Sequence, residues 1–272
     1  MLVINDKMFI DKKSKFSSNL VSIVMPAHNS EKFILESIES IINQTYANWE
    51  LHVVDDASKD QTTKILKEIS ESDSRIKVTI NEINSGAAVT RNVALAATRG
   101  QYVAFLDSDD VWEKNKLEKQ IKFMETNMEC FTFTSYKIVD ESGKENYKIV
   151  DAKSKELVGY KDMLAKRATL GCSTVVIDQS IIREKYLENL EMPLIRTGQD
   201  YAFWLRILKE GVFAKRINEP LTKYRIVKGS ISRNKVKKAK RQWEIYRNLE
   251  NLDLFQSAWY FLNYALRAIF RS

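Results

Sequence analysis

Proline, cysteine and glycine are scarce in this chain of 272 residues, which contains 3, 2 and 8 of them, respectively. The two cysteines, Cys130 and Cys172, are too few for a disulfide framework, and both lie in apolar runs. We therefore expect reduced, buried thiols in a protein that stays in the cytoplasm. The opening residues lack a basic leader before an apolar core, so we expect no secretory signal. No window reaches the roughly 18 to 20 uninterrupted apolar residues of a membrane span.

Both glycine-rich phosphate-binding signatures, GxGxxG and GxxxxGK[ST], are also missing. A nucleotide bound by this chain would have its diphosphate charge met by a metal ion instead of a glycine loop. The contents of hydrophobic and charged residues, 44% and 29%, are those of an ordinary globular protein. The sequence thus predicts a globular protein without a phosphate-binding loop.

The charge of the chain is unevenly distributed, with a net value of +7. Between Lys223 and Arg247 the only acidic residue is Glu244, among many lysines and arginines. Such a segment is typical of a solvated helix face, or of attraction to phosphate on nucleic acid or on an anionic membrane. No zinc, RNA-recognition or helix-turn-helix pattern is recognisable, so we expect no nucleic-acid partner.

Four short apolar runs alternate with helical patterns in the first half of the chain. The runs are rich in β-branched and aromatic residues and lack helical periodicity, which is typical of buried strands. They span residues 21–25, 51–54, 75–80 and 102–106. Helical spacing of apolar residues lies between them, most clearly at Ile34, Ile38 and Ile41. This alternation predicts an α/β fold with a doubly wound, mostly parallel sheet.

The pattern changes in the second half. Residues 131–136 alternate apolar and polar side chains, and a turn signal follows at residues 141–144. Both features favour an antiparallel extension of the sheet, and the end of the chain favours helices. The predicted units are an N-terminal extension, two halves of one central domain and a basic amphipathic helical tail, at residues 1–19, about 20–128, about 129–232 and 233–272.

Three carboxylates, Asp107, Asp109 and Asp110, follow the fourth apolar run within four residues. Open α/β sheets bind their ligands at such strand ends. Carboxylates this close repel one another, so they need a cation to be stable together. An Asp-x-Asp pair can hold a hard divalent ion, whose remaining ligands are water and diphosphate oxygens. The alternative is an acidic turn in which Asp109 or Asp110 caps the next helix.

Segments that carry polar groups follow the other three runs as well. They contain Pro26, Ala27, His28 and Asn29 after the first run, Asp55, Asp56 and Ser58 after the second, and Asn84, Ser85, Gly86 and Arg91 after the third. Because the carboxyl ends of parallel strands share one edge, we expect these groups to converge on one crevice. The alternatives are a capping turn for the Asp-Asp pair, a surface position for Arg91 and a packed histidine for His28.

In the order and spacing of these motifs, the chain resembles the family 2 glycosyltransferases, which have the GT-A fold. The matching segments lie within residues 21–29, 37–45, 49–58, 84–92, 100–110 and 198–206. They are dense over roughly residues 20–125 and sparser over 170–232. The resemblance implies a GT-A fold and an inverting transfer of a sugar from a nucleotide donor, commonly a UDP-sugar. It also implies a divalent metal, Mn²⁺ or Mg²⁺.

The resemblance implies roles for individual positions. The nucleotide would contact Pro26, Ala27, His28, Asn29, Asp56, Arg91, Asp107 and Ser108. Asp109 would ligate the metal together with Asp107. Asp200 would be the general base, the cap of a helix over residues 201–209, or both. Gln199 stands where the family commonly has Glu and is a candidate contact to the acceptor or to phosphate. A histidine that many members have is absent after Tyr224-Arg225, so Arg225 or Lys228 is a candidate to neutralise the diphosphate.

The aromatic and basic residues of the tail suit a membrane interface, or else a helix packed on the central domain or on a second subunit. Many bacterial members of the family build surface polysaccharides, of which teichuronic acid is one, on lipid-diphosphate carriers. The resemblance therefore implies a glycan acceptor, lipid-linked at the inner face of the cytoplasmic membrane. The alternative function is a non-catalytic sugar-nucleotide-binding or scaffold protein with the same fold, and an oligomer is compatible with either.

Overall fold

The computed structural model describes residues 16–227 and 235–270. The strands in these ranges are β1 (Ser17–Ala27), β2 (Trp49–Asp55), β3 (Ile76–Ile80), β4 (Gly100–Phe105), β5 (Val111–Trp112), β6 (Phe131–Val139), β7 (Glu145–Val150), β8 (Leu157–Val158), β9 (Val175–Asp178) and β10 (Ala214–Arg225). The helices are α1 (Ile34–Ile42), α2 (Thr62–Ser72), α3 (Ala87–Ala96), α4 (Lys116–Asn127), α5 (Tyr160–Leu164), α6 (Gln179–Lys185), α7 (Gln199–Lys209), α8 (Lys235–Glu244) and α9 (Leu254–Phe270). A π-helical turn, Ile245–Leu249, joins α8 to the segment before α9.

One mixed sheet organises the domain, with its main path in the order β3-β2-β1-β4-β9-β6-β10-β5. The first four strands of this order are parallel, and Ile23 of β1 lies between Leu51 of β2 and Ala104 of β4. Apolar side chains of one strand alternate between two cores, so that Val24 packs on one face and Ile23 on the other. Helices cover both faces, which confirms the predicted doubly wound half of the fold.

The second half of the sheet is largely antiparallel, as predicted. Strand β9 pairs antiparallel with both β4 and β6, and β7 folds back on β6 through a turn at Gly143 with φ of +82°. The long strand β10 runs parallel to β6 and antiparallel to β5. The parallel β6–β10 pair is a departure from the prediction, because the chain crosses over through α5, α6 and α7 between these two strands.

Neither Asp109 nor Asp110 caps a helix. The residues after them form strand β5, in which Trp112 pairs with Thr222 of β10, and α4 begins only at Lys116. The extended conformation after the carboxylates is therefore imposed by a partner strand more than 100 residues later in the chain.

The beginning of the predicted tail packs against the central domain. Gln242, Ile245 and Tyr246 are at most 2% exposed. The hydroxyl of Tyr246 donates a hydrogen bond to the carbonyl oxygen of Leu164 at the end of α5, over 2.5 Å. These contacts make α8 and the π-helical turn part of the same folded unit as the sheet.

Helix α9 presents a row of large apolar side chains to solvent. Its exposed members are Leu254, Phe255, Trp259, Leu262 and Leu266. Their spacing places most of them on one side of the helix, while Tyr260 and Phe261 pack towards the core. Across residues 16–227 and 235–270, no helix combines the length and apolar character needed to cross a membrane.

Candidate active site

A cleft opens at the carboxyl ends of β1, β2 and β4. It is lined by Pro26, Ala27, His28, Asp56, Ala87, Thr90, Arg91, Asp107, Ser108 and Asp109. The structure thus brings together eight of the residues that the sequence analysis singled out. Ala87 and Thr90 were not singled out, although their spacing from Arg91 places all three on one side of α3.

The two carboxylates after β2 have different surroundings. Asp55 is fully buried and accepts hydrogen bonds from the backbone N–H and the hydroxyl of Ser58, and from the Thr63 hydroxyl. It therefore closes the turn into α2, which agrees with the capping alternative for this residue. Asp56, in contrast, lines the cleft.

Asp56 organises the loop before α3. Its carboxylate accepts hydrogen bonds from the side chain of Asn81 (2.9 Å) and from the backbone N–H groups of Ser85 (2.9 Å) and Gly86 (2.8 Å). Burial by itself would raise the pKa of Asp56, but these hydrogen bonds lower it below its ordinary value. Asp56 is thus held as an anion at one wall of the cleft.

His28 and Asn29 close the rim of the cleft at the end of β1. The His28 Nδ1 lies 2.8 Å from the carbonyl oxygen of Asp56, which assigns the proton to Nδ1. Its Nε2 then accepts from the side-chain amides of Asn29 (3.0 Å) and Asn84 (3.1 Å). Asn29 adopts a left-handed conformation with φ of +48°, and Ser58 accepts a hydrogen bond from its backbone N–H. The ring of His28 is therefore fixed in orientation although it is exposed.

Arg91 is a buried cation in the wall of the cleft. It is 7% exposed, and its Nη2 lies 2.5 Å from Oδ1 of Asp107. Burial alone would lower the pKa of Arg91, but the charge of Asp107 raises it above its ordinary value, so the guanidinium stays charged. Its Nε has no hydrogen-bond partner in the part of the chain that the structure describes. An anionic ligand in the cleft would meet this charge.

Asp109 has the properties of a metal-binding carboxylate. Burial, and then the nearby charge of Asp107, raise its pKa to about 6. Within the described ranges no cationic side chain forms an ion pair with it. A carboxylate in this position is stabilised by a divalent cation, for which carboxylate oxygens are suitable ligands. Among residues 16–227 and 235–270, no three His, Cys, Asp or Glu side chains form a metal-binding group.

Asp110 is not exposed to the cleft but holds the loop in place. It is 1% exposed and accepts hydrogen bonds from the Ser173 hydroxyl (2.5 Å) and the backbone N–H of Arg225 (2.9 Å). Ser173 in turn accepts a hydrogen bond from the backbone N–H of Asp107. Burial, followed by the charges of Asp109 and Asp107, raises the pKa of Asp110 well above its ordinary value. Asp110 therefore links the loop that contains Asp107 and Asp109 to β10.

Arg225 lies behind the loop and is 4% exposed. Its guanidinium donates to the backbone carbonyl oxygens of Asp109 (2.8 Å) and Glu141 (3.1 Å) and to the carboxylate of Glu36 (2.6 Å). It also lies 5.0 Å from the ring centroid of Phe33. These contacts position the backbone of Asp109 from the far side of the loop.

Asp200 lies in the first turn of α7, directly after Gly198 and Gln199. Gly198 precedes the helix in a left-handed conformation, with φ of +76°, so Asp200 is not the cap. Burial alone would lower the pKa of Arg91, but the charge of Asp107, and to a smaller extent that of Asp200, raises it. Asp200 is not among the residues that line the cleft. Gln199 is buried, and Lys228 lies outside the described residues.

Similarity to known proteins identifies the family of this chain. The model of the family described as "Glycosyl transferase family 2" matches residues 22–191. The chain belongs to glycosyltransferase family 2. This result confirms the family resemblance and shows that the protein is a glycosyltransferase.

Curated relatives match this family 2 glycosyltransferase over most of its length. TuaG of Bacillus subtilis (strain 168), a glycosyltransferase assigned to teichuronic acid biosynthesis, is 43% identical over 92% of this chain and 96% of its own. WfgD of Escherichia coli is 40% identical over 92% of this chain and 94% of its own. Its name describes a UDP-Glc:alpha-D-GlcNAc-diphosphoundecaprenol beta-1,3-glucosyltransferase.

Solved structures show the same fold at lower identity. S. aureus TarS 1–349 in complex with UDP-GlcNAc has a TM-score of 0.68 at 24% identity, over 84% of this chain and 64% of TarS 1–349. The present chain thus spans less than two thirds of that protein. The mannosyltransferase PcManGT from Pyrobaculum calidifontis, in complex with GDP-Man and Mn²⁺, has a TM-score of 0.68 at 15% identity, over 90% and 73% of the two chains. Both likenesses confirm the GT-A fold.

Proposed function

We propose that this glycosyltransferase moves a sugar from a UDP-sugar to a hydroxyl of a lipid-diphosphate-linked saccharide in surface polysaccharide synthesis. The observation that carries the proposal is the convergence of Asp109 and the Arg91–Asp107 pair in one cleft at the strand edge, with Asp200 near enough for its charge to affect Arg91. An anchor for a diphosphate and a candidate base are the two groups that such a transfer requires.

The names of the relatives support the chemistry of both substrates. WfgD is named for a UDP-glucose donor and for an acceptor in which GlcNAc is linked to undecaprenol through a diphosphate. TuaG is named for teichuronic acid biosynthesis. The high identity of both over nearly the whole chain favours a donor and an acceptor of the same chemical classes here.

The cleft offers separate surfaces to the parts of the donor. The nucleoside lies against Pro26, His28 and Asp56, where the rigid ring of His28 and the anionic Asp56 recognise the base. Arg91 faces the diphosphate region and offsets negative charge there. The donor is held so that its anomeric carbon points towards α7.

The residues fit a divalent metal, Mn²⁺ or Mg²⁺, at Asp109 and Asp107. When bound, the metal stabilises the departing nucleoside diphosphate as a Lewis acid. Asp109 contributes a partly buried carboxylate without an ion pair in the described ranges, and Arg225 and Asp110 fix the backbone that carries it. PcManGT is described with GDP-Man and Mn²⁺, which supports the same arrangement.

Asp200 is the general base of the proposed reaction. Its carboxylate takes the proton from the acceptor hydroxyl as that oxygen attacks the anomeric carbon from the face opposite the diphosphate. One displacement inverts the configuration, so an α-linked sugar nucleotide gives a β-linked product. Gln199, where a second carboxylate is common in the family, leaves the negative charge on Asp200 alone.

The exposed apolar row of α9 supports attachment to the inner face of the cytoplasmic membrane. Phe255 and Trp259 are 88% and 64% exposed, and a row of this kind is costly in water but stable at a lipid interface. Attachment would bring the enzyme to an acceptor that is itself anchored in the bilayer.

A panel of nucleotide sugars, measured by thermal shift with and without Mn²⁺, tests the donor half of the proposal. A ligand that binds only the native state raises Tm by mass action, so we expect one UDP-sugar to raise it most, and only with metal. Asp109→Asn should lose the metal-dependent part of this shift, whereas Glu68→Gln on the exposed side of α2 should keep it. A shift that does not depend on metal or on Asp109 would contradict the metal assignment.

Mass spectrometry of the products tests the acceptor half. The expected result is one added sugar on a GlcNAc-diphospho-lipid, with a β-linkage. Donor binding without transfer to any such acceptor would favour the alternative of a non-catalytic sugar-nucleotide-binding protein.

A further inference from the structure

A second cavity lies beside the loop that leads into α7. It is formed between the loop before α7 on one side and α8 with its π-helical turn on the other. Its lining consists of Ile195, Arg196, Thr197, Lys237, Lys240, Arg241, Glu244, Ile245, Asn248 and Leu249. We call it the α8 groove. None of its lining residues belongs to the donor cleft.

The α8 groove is strongly basic. Four of its lining side chains are cationic and only Glu244 is anionic. Glu244 lies 4.0 Å from Lys240 and so offsets part of that charge. In the part of the chain that the structure describes, neither Arg196 nor Arg241 forms an ion pair with a carboxylate. Two guanidinium groups that face a cavity without such an ion pair are suited to bind a phosphate or diphosphate through paired hydrogen bonds.

The α8 groove lies close to the candidate base. The Arg241 side chain passes directly over Gly198, where an added Cβ would come within 2.9 Å of its Cδ and Nε atoms. Because two residues span at most about 7 Å, the Cα atoms of Gly198 and Asp200 are no further apart than that. The Arg241 side chain therefore contacts the same short segment of chain that carries Asp200.

Apolar surface lies next to the cations. Ile195, Ile245 and Leu249 line the same groove, and the π-helical turn leads towards α9 with its exposed apolar row. The groove thus combines an anion-binding side with an apolar side. This combination suits an amphiphile in which a diphosphate joins a sugar to a hydrocarbon chain.

We propose that the α8 groove binds the diphosphate of the lipid-linked acceptor through Arg196 and Arg241 and thereby presents the acceptor sugar to Asp200. This inference rests on the proposed function, and it assigns the acceptor diphosphate to a site separate from the donor diphosphate. The lipid would leave the groove along its apolar side towards α9.

Steady-state kinetics with two acceptors test the inference. One acceptor is GlcNAc α-linked through a diphosphate to farnesol, and the other is phenyl α-GlcNAc, which has no diphosphate. In the full-length Arg196→Gln/Arg241→Gln variant we expect KM for the first acceptor to rise about tenfold or more, because a hydrogen bond to a charged group typically contributes at least that factor. KM for the phenyl glycoside, KM for the donor and kcat should be unchanged.

Two further variants control for charge and for folding. Lys64→Gln/Lys67→Gln removes two positive charges from the exposed side of α2 and should leave every constant unchanged. Arg241→Lys keeps the positive charge beside Gly198 but lacks the planar guanidinium that forms paired hydrogen bonds. It should therefore give an intermediate KM for the diphosphate acceptor and the Tm of the wild type. A KM that rises equally for both acceptors, or that does not rise for either, overturns the inference.

A vesicle-flotation experiment distinguishes binding of the acceptor diphosphate from binding of the phosphate headgroups of the membrane. Flotation with phosphatidylglycerol vesicles that contain no acceptor should be the same for the wild type and for Arg196→Gln/Arg241→Gln. Loss of flotation with unchanged KM values would show that the groove binds headgroups instead, and this result would overturn the inference. Absence of transfer by the wild type with either acceptor would count against the proposed function itself.

Discussion

Arg225 is a single buried residue that holds the backbone of the loop after β4 in place. Its guanidinium connects the backbone of Asp109 to Glu141 and to Glu36, three segments that are distant in sequence. The Tyr224-Arg225 sequence makes it a candidate to neutralise the diphosphate. The contacts in the structure support a positioning role, and Arg225 is not among the residues that line the cleft.

Arg225→Ala should therefore affect stability and metal binding together. The lost hydrogen bonds leave backbone carbonyl oxygens without partners, at a cost of about 1–3 kcal/mol in the free energy of unfolding. We expect this loss in urea denaturation, together with a weaker Mn²⁺-dependent thermal shift. Glu36→Gln is the matched control: its side chain is about half exposed, so removing its charge should cost less than about 1 kcal/mol. Equal losses for the two variants would contradict the positioning role.

The elements of the sheet are tied together by a buried carboxylate at the start of β2. Glu50 is 3% exposed and accepts hydrogen bonds from Ser22 of β1 (2.7 Å) and from Arg99, just before β4 (2.7 Å to Nη2). His52 lies 3.2 Å from it. Burial alone would raise the pKa of Glu50, but the hydrogen bonds from His52, Ser22 and Arg99 hold it far below its ordinary value.

This arrangement makes the stability of the sheet depend on pH. A carboxyl group whose pKa is lowered in the folded state stabilises it above the unfolded pKa, here 4.5, and that stabilisation is lost as pH falls below this value. Glu50→Gln should lower the free energy of unfolding by about 1–3 kcal/mol at pH 7. The difference in the free energy of unfolding between Glu50→Gln and the wild type should become smaller as pH falls from 5 to 3. A difference that stays constant over this range in urea titrations would contradict the assignment.

The strands and helices that can be predicted from the sequence are those whose own residues show a clear pattern of apolar positions. Residues 21–25 and 102–106 are mostly apolar without helical period, and both are buried, the first within β1 and the second in β4 and the position after it. In contrast, β5 has only two residues and exists because β10 pairs with it, so no local pattern could indicate it. The same holds for the start of β1 at Ser17, where pairing with Gly100 extends the strand into the predicted N-terminal extension.

Which residues gather in the cleft could also be predicted in part from the sequence. Strand ends of a parallel sheet share one edge, so the sequence alone brings Asp56, Arg91 and Asp109 together. The hydrogen bond from the Arg225 backbone to Asp110 spans 115 positions and depends on the register of β10, which the sequence does not reveal. The α8 groove is also a tertiary feature, because its two walls are far apart in the chain.

At the scale of the whole molecule, the C-terminal region has a part that packs on the central domain and a part that is exposed to solvent. Tyr246 is completely buried against the central domain, whereas the α9 side chains Phe255 and Trp259 face solvent. Truncation before α8 would therefore disturb the fold as well as any membrane contact. Substitutions on the exposed row separate the two effects.

Phe255→Ser/Trp259→Ser should abolish flotation with lipid vesicles and leave Tm unchanged. Each apolar side chain of this size contributes about 1.5–3 kcal/mol when it is transferred out of water, and neither is buried in the folded protein. Lys64→Gln/Lys67→Gln, on the exposed side of α2, is the control and should float as the wild type does. Flotation of the double serine variant at wild-type levels would exclude α9 as the membrane contact.

The central claim, that the Asp109 cleft and Asp200 form one glycosyl-transfer site, is tested most directly by the turnover of Asp200→Asn. Glu210→Gln, at the exposed end of the same helix, is the matched control. A general base typically contributes about 10²–10⁴-fold to the rate, so we predict a fall in kcat of that size with an unchanged Kd for the donor and an unchanged Tm. Near-normal kcat in Asp200→Asn would contradict the account.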